Sequence, residues 1–131
     1  MDAGFVISQS DKRPMYLQIM EQIKRRIALG DWTEGQPIPS TRQLAADLQV
    51  SVITIKRAYL ELEREGIIVT QQGRGSRVAP TPGLGLRIQE QELQKHLEQA
   101  IRLSAVLGIR PEELEDRLRE ASDNIAAKER K

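Results

Sequence analysis

The sequence predicts a mainly α-helical fold with one small β-wing, three helices preceding the wing and a two-helix C-terminal hairpin following it. Three observations predict it. Apolar residues recur at three- and four-residue spacing up to residue 62 and again from residue 93. Between these blocks, Ile67 to Gln71 and Arg74 to Ala79 read as two short strands around Gln72-Gly73. Finally, residues 39 to 78 (PSTRQLAADLQVSVITIKRAYLELEREGIIVTQQGRGSRV) carry the start and stop signals of two helices separated by a tight turn.

The first helix is expected from Pro14 to Leu29. Proline suits the first helical position, where its missing N–H costs no hydrogen bond, and Tyr16, Ile19, Met20, Ile23 and Ile27 form an apolar stripe. Gly30 ends it, and Trp32 is expected to close the small core. Gln36 to Pro39 reads as extended. Ser40 is then placed as an N-cap, with Gln43 completing a capping box, for a helix of about two turns ending at Leu48. Gln49-Val50 forms the turn and Ser51 caps the next helix. Along that helix Ile55, Tyr59 and Leu62, with Ala58 beside them, make a core-facing stripe, and Gly66 terminates it. Gly73 and Gly75 supply the positive φ and close backbone approach of a wing tip.

This order is a winged helix-turn-helix, which places one helix in a DNA groove and a β-loop beside it. The unpaired N–H groups at the start of the short helix favour a phosphate near Ser40 and Arg42. The exposed side of the longer helix offers Val52, Ile53, Thr54, Lys56, Arg57 and Leu60, led by Ser51. The wing adds Gln72, Gly73, Arg74 and Gly75, with Arg77 behind them and no acidic residue between Glu65 and Glu90. Taken singly, each of these has an ordinary structural reading: Ser40 and Ser51 can be caps, Arg42 a solvated cation. It is their conjunction in this order that points to double-stranded DNA. The alternative from another class is a winged helix that docks protein as an adaptor without binding DNA.

Beyond the wing, Pro80-Thr81-Pro82-Gly83-Leu84-Gly85 is a breaker cluster. It divides the chain into a winged helix-turn-helix domain at 1–79, a linker at 80–86 and a helical region at 87–131. All four aromatic residues precede position 60, and the C-terminal region is a helix-forming mixture of Glu, Gln, Arg, Leu and Ala. One helix is expected to about Leu107, with Leu93, Leu97, Ala100, Ile101, Ser104 and Leu107 on its apolar side. Gly108 stops it and Pro111 starts another, carrying Leu114, Leu118, Ala121 and Ile125, with a frayed end from Ala127. So short a connection implies an antiparallel hairpin. A hairpin of this size buries too little by itself, so Leu93, Leu97, Ile101 and Leu118 are assigned to a homodimer interface.

Composition is that of a globular protein: 131 residues, 30% charged, 39% hydrophobic and a formal net charge of +1. The charge is weakly polarised, with 11 basic and 9 acidic residues in 1–79 against 9 and 10 in 80–131. No global basic field announces nucleic acid, so local clustering must supply the attraction. The absence of cysteine excludes disulfides and suits a reducing cytoplasmic setting. His96 is the only histidine, so no metal site of ordinary composition and no cofactor is expected. Residues 1–14 hold no long apolar run, so neither a signal peptide nor a membrane span is predicted. The acidic run Glu112, Glu113, Glu115 and Asp116 complements a helix start, and with no nucleophile–base constellation in sight no catalytic residue is assigned.

The stretch from Pro39 to Val78, together with Pro14-Met15-Tyr16-Leu17-Gln18-Ile19 and Gly30-Asp31-Trp32, resembles the DNA-binding domain of GntR-type bacterial transcription regulators over about the first 79 residues. The resemblance implies that Arg42 contacts phosphate, that Ser51, Val52, Ile53, Thr54 and Lys56 lie in the major groove and that Gly73 lies in the wing. This sequence departs from the family at two positions: the slot of Val52 is often arginine there, and that of Ile53 is commonly polar. Neither side chain can make bidentate hydrogen bonds, so readout is expected to lean on thymine methyls, with polar contacts from Thr54 and Lys56. Only about 52 residues come after the wing, so the chain looks like the YtrA-type group, whose short two-helix region dimerises and whose members often regulate transporter operons. The resemblance implies a dimeric repressor, nucleoid-associated when bound to its operator. A small-molecule effector, if one exists, is expected between the hairpin and the winged domain, near Arg87, Arg102 and Arg110.

Overall fold

The computed structural model describes residues 5–8 and 13–130. In chain order it comprises α1 (Met15–Ala28), α2 (Thr41–Leu48), α3 (Val52–Arg64), β1 (Ile68–Gln71), β2 (Gly75–Val78), α4 (Leu84–Val106) and α5 (Pro111–Glu129). Two compact units are formed, one ending at Gln89 and the other beginning at Glu90.

The first unit is organised around α3. Its stripe of Ile55, Ala58, Tyr59 and Leu62 is buried, and α1, α2 and β1 all pack on it. Ile19 and Ile23 from α1, Leu44 from α2, Ile67, Ile68, Val78 and Leu84 complete the fully buried set. The apolar spacings of the sequence correspond to these contacts, because residues three and four apart share one helix face. Pro14 occupies the cap position of α1 and not its first turn. Trp32 is buried, with Phe5 edge-on to it at 6.1 Å.

The wing pairs antiparallel with Ile68 opposite Val78 and Gln71 opposite Gly75. Its tip is therefore three residues long, and Arg74 lies on the tip, not in the second strand as the sequence suggests. Gly73 and Gly75 have φ of +81° and +73°, the left-handed geometry that a three-residue hairpin loop closes with. The extended residues 36–38 bridge to β2 without forming a strand of their own. Ile38 N–H donates to the Ser76 carbonyl (3.0 Å), and Val78 N–H donates to that of Gln36 (2.9 Å). Pro37 sits opposite Arg77, and having no N–H it leaves the outer edge without a donor to a further strand.

Between α2 and α3, Gln49 takes φ +56° and ψ +44°, so that the chain reverses in two residues. A side chain in that region costs about 1–2 kcal/mol. Gln49→Gly is accordingly expected to stabilise the unit by about 1 kcal/mol, read as a higher midpoint in urea with an unchanged slope.

Two features lie outside the sequence reading. Phe5 to Ser8 lies along α1, where two glutamines one turn apart each hold a backbone amide and carbonyl. Gln22 accepts from Val6 N–H (2.7 Å) and donates to the Val6 carbonyl (2.5 Å). Gln18 does the same for Ser8, at 2.9 and 3.2 Å. Phe5 is buried, with the Arg26 guanidinium 4.6 Å from its ring centre. Secondly, the expected linker 80–86 is helical from Leu84, because Leu84 and Ile88, one turn apart, are buried in the first unit. The reading of residues 1–14 falls largely outside the described residues, as does Lys131.

In the second unit the two helices and the Gly108 break (φ +71°) follow the expected plan, with Pro111 in the first turn of α5. The expected packing of one helix along the other is not formed. α5 buries no side chain, and Leu93, Leu97, Ile101 and Leu118 are 42–61% exposed. The helices connect through a turn in which Ile109 N–H donates to the Ser104 carbonyl at 2.8 Å. Two stripes built from scattered Leu, Ile and Ala offer too little area to offset ordering their own side chains. α5 continues to Glu129, so residues 127–129 are helical and not frayed.

Candidate nucleic-acid interface

The short helix α2 begins with a complete capping box. The Ser40 hydroxyl accepts from Gln43 N–H (3.1 Å) and the Gln43 side-chain oxygen accepts from Ser40 N–H (3.2 Å). The Ser40 O–H proton is left for a further acceptor, and Arg42 stands exposed in the same first turn. The remaining N–H groups there, with the helix dipole, suit a phosphate.

At the start of α3, the Ser51 hydroxyl accepts from Thr54 N–H at 3.2 Å and lies 2.7 Å from the Thr54 hydroxyl. Both hydroxyls therefore serve the cap first, and Thr54 is less free for polar readout than its residue type suggests. Ile53, by contrast, is 79% exposed, and Lys56 is exposed one turn further on. Val52 is half-buried against the core.

Arg57 is engaged elsewhere. Its guanidinium carbon lies 4.4 Å from the centre of the Tyr16 ring, with Nε 3.7 Å from Glu61. That arrangement ties α3 to α1, so Arg57 is placed to orient the helix more than to reach out from it. Arg42, Lys56 and Arg74 form no ion pair among the described residues, whereas Lys24, Arg57 and Arg64 each have a carboxylate partner. On the wing, Gln72, Gly73, Arg74 and Gly75 are all exposed, and the Thr70 and Ser76 hydroxyls brace the strands at 2.8 Å. Arg77 Nε is buried without a hydrogen-bond partner. His96 belongs to the second unit, exposed and 3.2 Å from Glu92. No helix of the described residues is long and apolar enough to cross a membrane.

Tyr59 reads from its spacing only as core. Its hydroxyl donates to the Pro39 carbonyl at 2.6 Å, joining α3 to the residue that precedes the α2 cap. Its i+4 spacing from Ile55 marks the burial, but no local signal could mark a bond across 20 residues.

Comparison with known proteins gives the same answer. The family described as bacterial regulatory proteins, gntR family, matches residues 15–78. The HTH-type transcriptional repressor YtrA of Bacillus subtilis is 32% identical over 120 residues, covering 91% of this chain and 92% of its own length. Among solved structures, a GntR family transcriptional regulator from Listeria monocytogenes superposes with a TM-score of 0.72 at 31% identity, covering 85% of this chain and 97% of that one. The DNA-binding domain of AraR, solved in complex with operator ORX1, superposes with a TM-score of 0.52 at 30% identity, covering 56% of this chain and 93% of that one. A capped helix pair with its outer first turns exposed, a glycine-tipped wing and a short helical extension, matched over nearly the whole length of a repressor, make this chain a member of the GntR family of DNA-binding bacterial transcription regulators.

Proposed function

We propose that the chain acts in the bacterial cytoplasm as a homodimeric repressor that occludes a promoter by binding two half-sites of an operator, that of a transporter operon as in the YtrA-type group. The observation that carries the DNA-facing part is the two-sidedness of α3. One side is buried, while Ser51, Ile53 and Lys56 on the other are exposed. The dimer rests on the exposed apolar residues Leu93, Leu97, Ile101 and Leu118, for which a second copy is the natural cover. Ser40, Arg42 and the wing residues Gln72 to Gly75 hold the backbone in this reading, and the start of α3 enters the major groove. Any small-molecule signal would act by favouring one arrangement of the two recognition helices over another.

A band-shift of the full chain against the intergenic DNA upstream of its own gene tests the reading. Arg42→Ala is expected to weaken binding to operator and random duplexes alike, flattening the salt dependence by about one unit of slope, because a phosphate contact carries no sequence information. An Arg42→Ala variant indistinguishable from wild type on both DNAs would remove the assigned docking.

A further inference from the structure

We infer that this regulator reads each half-site through the 5-methyl group of one thymine, contacted by Ile53, and through one guanine taken by Lys56. The inference rests on the DNA-binding reading and names the sequence feature recognised. It comes from eliminating the other side chains at the start of α3. The Ser51 and Thr54 hydroxyls are joined to each other at 2.7 Å, and that of Ser51 also accepts from the Thr54 N–H at 3.2 Å. Val52 is drawn into the core, and Arg57 is held between the Tyr16 ring and Glu61.

Two groups remain: a hydrocarbon, Ile53, 79% exposed, and an ammonium, Lys56, with no ion pair among the described residues. Ile53 does no work in the core of its own unit. In the major groove the only strongly apolar feature that distinguishes base pairs is the thymine C5-methyl, whereas O6 and N7 of guanine are the acceptors a lysine reads. The two side chains are three residues apart, so they are neighbours on one helix face, about 4.5 Å apart along its axis. A base pair rises about 3.4 Å. The thymine and the guanine therefore fall on adjacent or next-adjacent base pairs.

The test uses the full chain and an operator selected from a random-sequence duplex pool. Each thymine of the selected half-site is replaced in turn by deoxyuridine, which removes the methyl and nothing else. One position per half-site is expected to weaken binding by about four-fold, the worth of one buried methylene-sized group, and replacement in both half-sites by about fifteen-fold. Ile53→Ala should bind the thymine operator with a similar deficit and show no further loss on the uridine one, the signature of a coupled pair. Because Ile53 is exposed, its thermal midpoint should stay that of wild type. Likewise 7-deazaguanine at the adjacent or next-adjacent base pair should weaken wild type but not Lys56→Met, which has no donor to offer N7. Tight binding with no uridine-sensitive position, or an Ile53→Ala variant as uridine-sensitive as wild type, would overturn the assignment while leaving DNA binding intact. A chain that selects no duplex at all would overturn the regulator reading beneath it.

Discussion

Leu97→Glu should convert the proposed dimer into a monomer and lower affinity for a two-half-site operator by about 100-fold or more. Leu97 is 42% exposed on α4, with Leu93 and Ile101 on the same face and 60% and 59% exposed. Glutamate is a good helix former, so the helix survives while the apolar stripe acquires a charge that a buried interface cannot solvate. The DNA-binding consequence is one of effective concentration. Two recognition helices in one particle make the second half-site an intramolecular target, which raises avidity by about 10²–10⁴ over a single contact. Sedimentation velocity at micromolar concentration and titration against one- and two-half-site duplexes read the two parts separately. The variant should match wild type on a single half-site and fail on the pair. A Leu97→Glu chain that remains dimeric, or a wild type already monomeric at that concentration, would remove Leu97 from the interface.

The division between what the sequence discloses and what it withholds tracks the range of the interactions. The Ser40–Gln43 capping box, the left-handed glycines of the wing and the Ile55–Tyr59–Leu62 stripe are set by residues within a turn or two of each other, and all are legible. The docking of Phe5 to Ser8 is not, because Gln18 and Gln22 read backbone 10 and 16 residues away and backbone groups have no sequence signature. The contact of Arg57 with the Tyr16 ring is hidden from sequence reasoning for a related reason: Tyr16 lies 41 residues earlier, and a surface arginine of such a helix looks alike whatever it faces. Leu84 and Ile88 do carry a local signal, a one-turn apolar repeat, but the surrounding prolines and glycines outweigh it. The two C-terminal helices fall close to where the apolar spacing puts them, yet amphipathicity states only that a face needs a cover, not which surface supplies it. For that reason the sequence leaves those faces to be covered by another surface, and in the structure they stand exposed.

Tyr59→Ala should be the most damaging single truncation in the first unit, costing about 3–5 kcal/mol, enough to leave a small domain largely unfolded. The ring is 3% exposed and lies in the stripe that holds α3, while its hydroxyl donates to the Pro39 carbonyl at 2.6 Å. Tyr59→Phe separates the two contributions. It keeps the ring and strands one buried acceptor, so it should cost about 1–2 kcal/mol at neutral pH. The two chains should then diverge in alkali. Burial holds the Tyr59 hydroxyl protonated well above the ordinary tyrosine range, because the phenolate would have to form away from water. The unfolded chain releases that proton near pH ~10, the folded chain only at higher pH. Stability from the neutral phenol is therefore fully present below pH ~10 and is lost as pH rises above it, at up to about 1.4 kcal/mol per unit. Urea titrations at pH 8, 10 and 11 should show wild type losing stability faster than Tyr59→Phe, so that the deficit of the variant narrows with pH. Parallel decline of the two chains would mean that the Tyr59 hydroxyl reaches solvent and that its bond to Pro39 does not persist in solution.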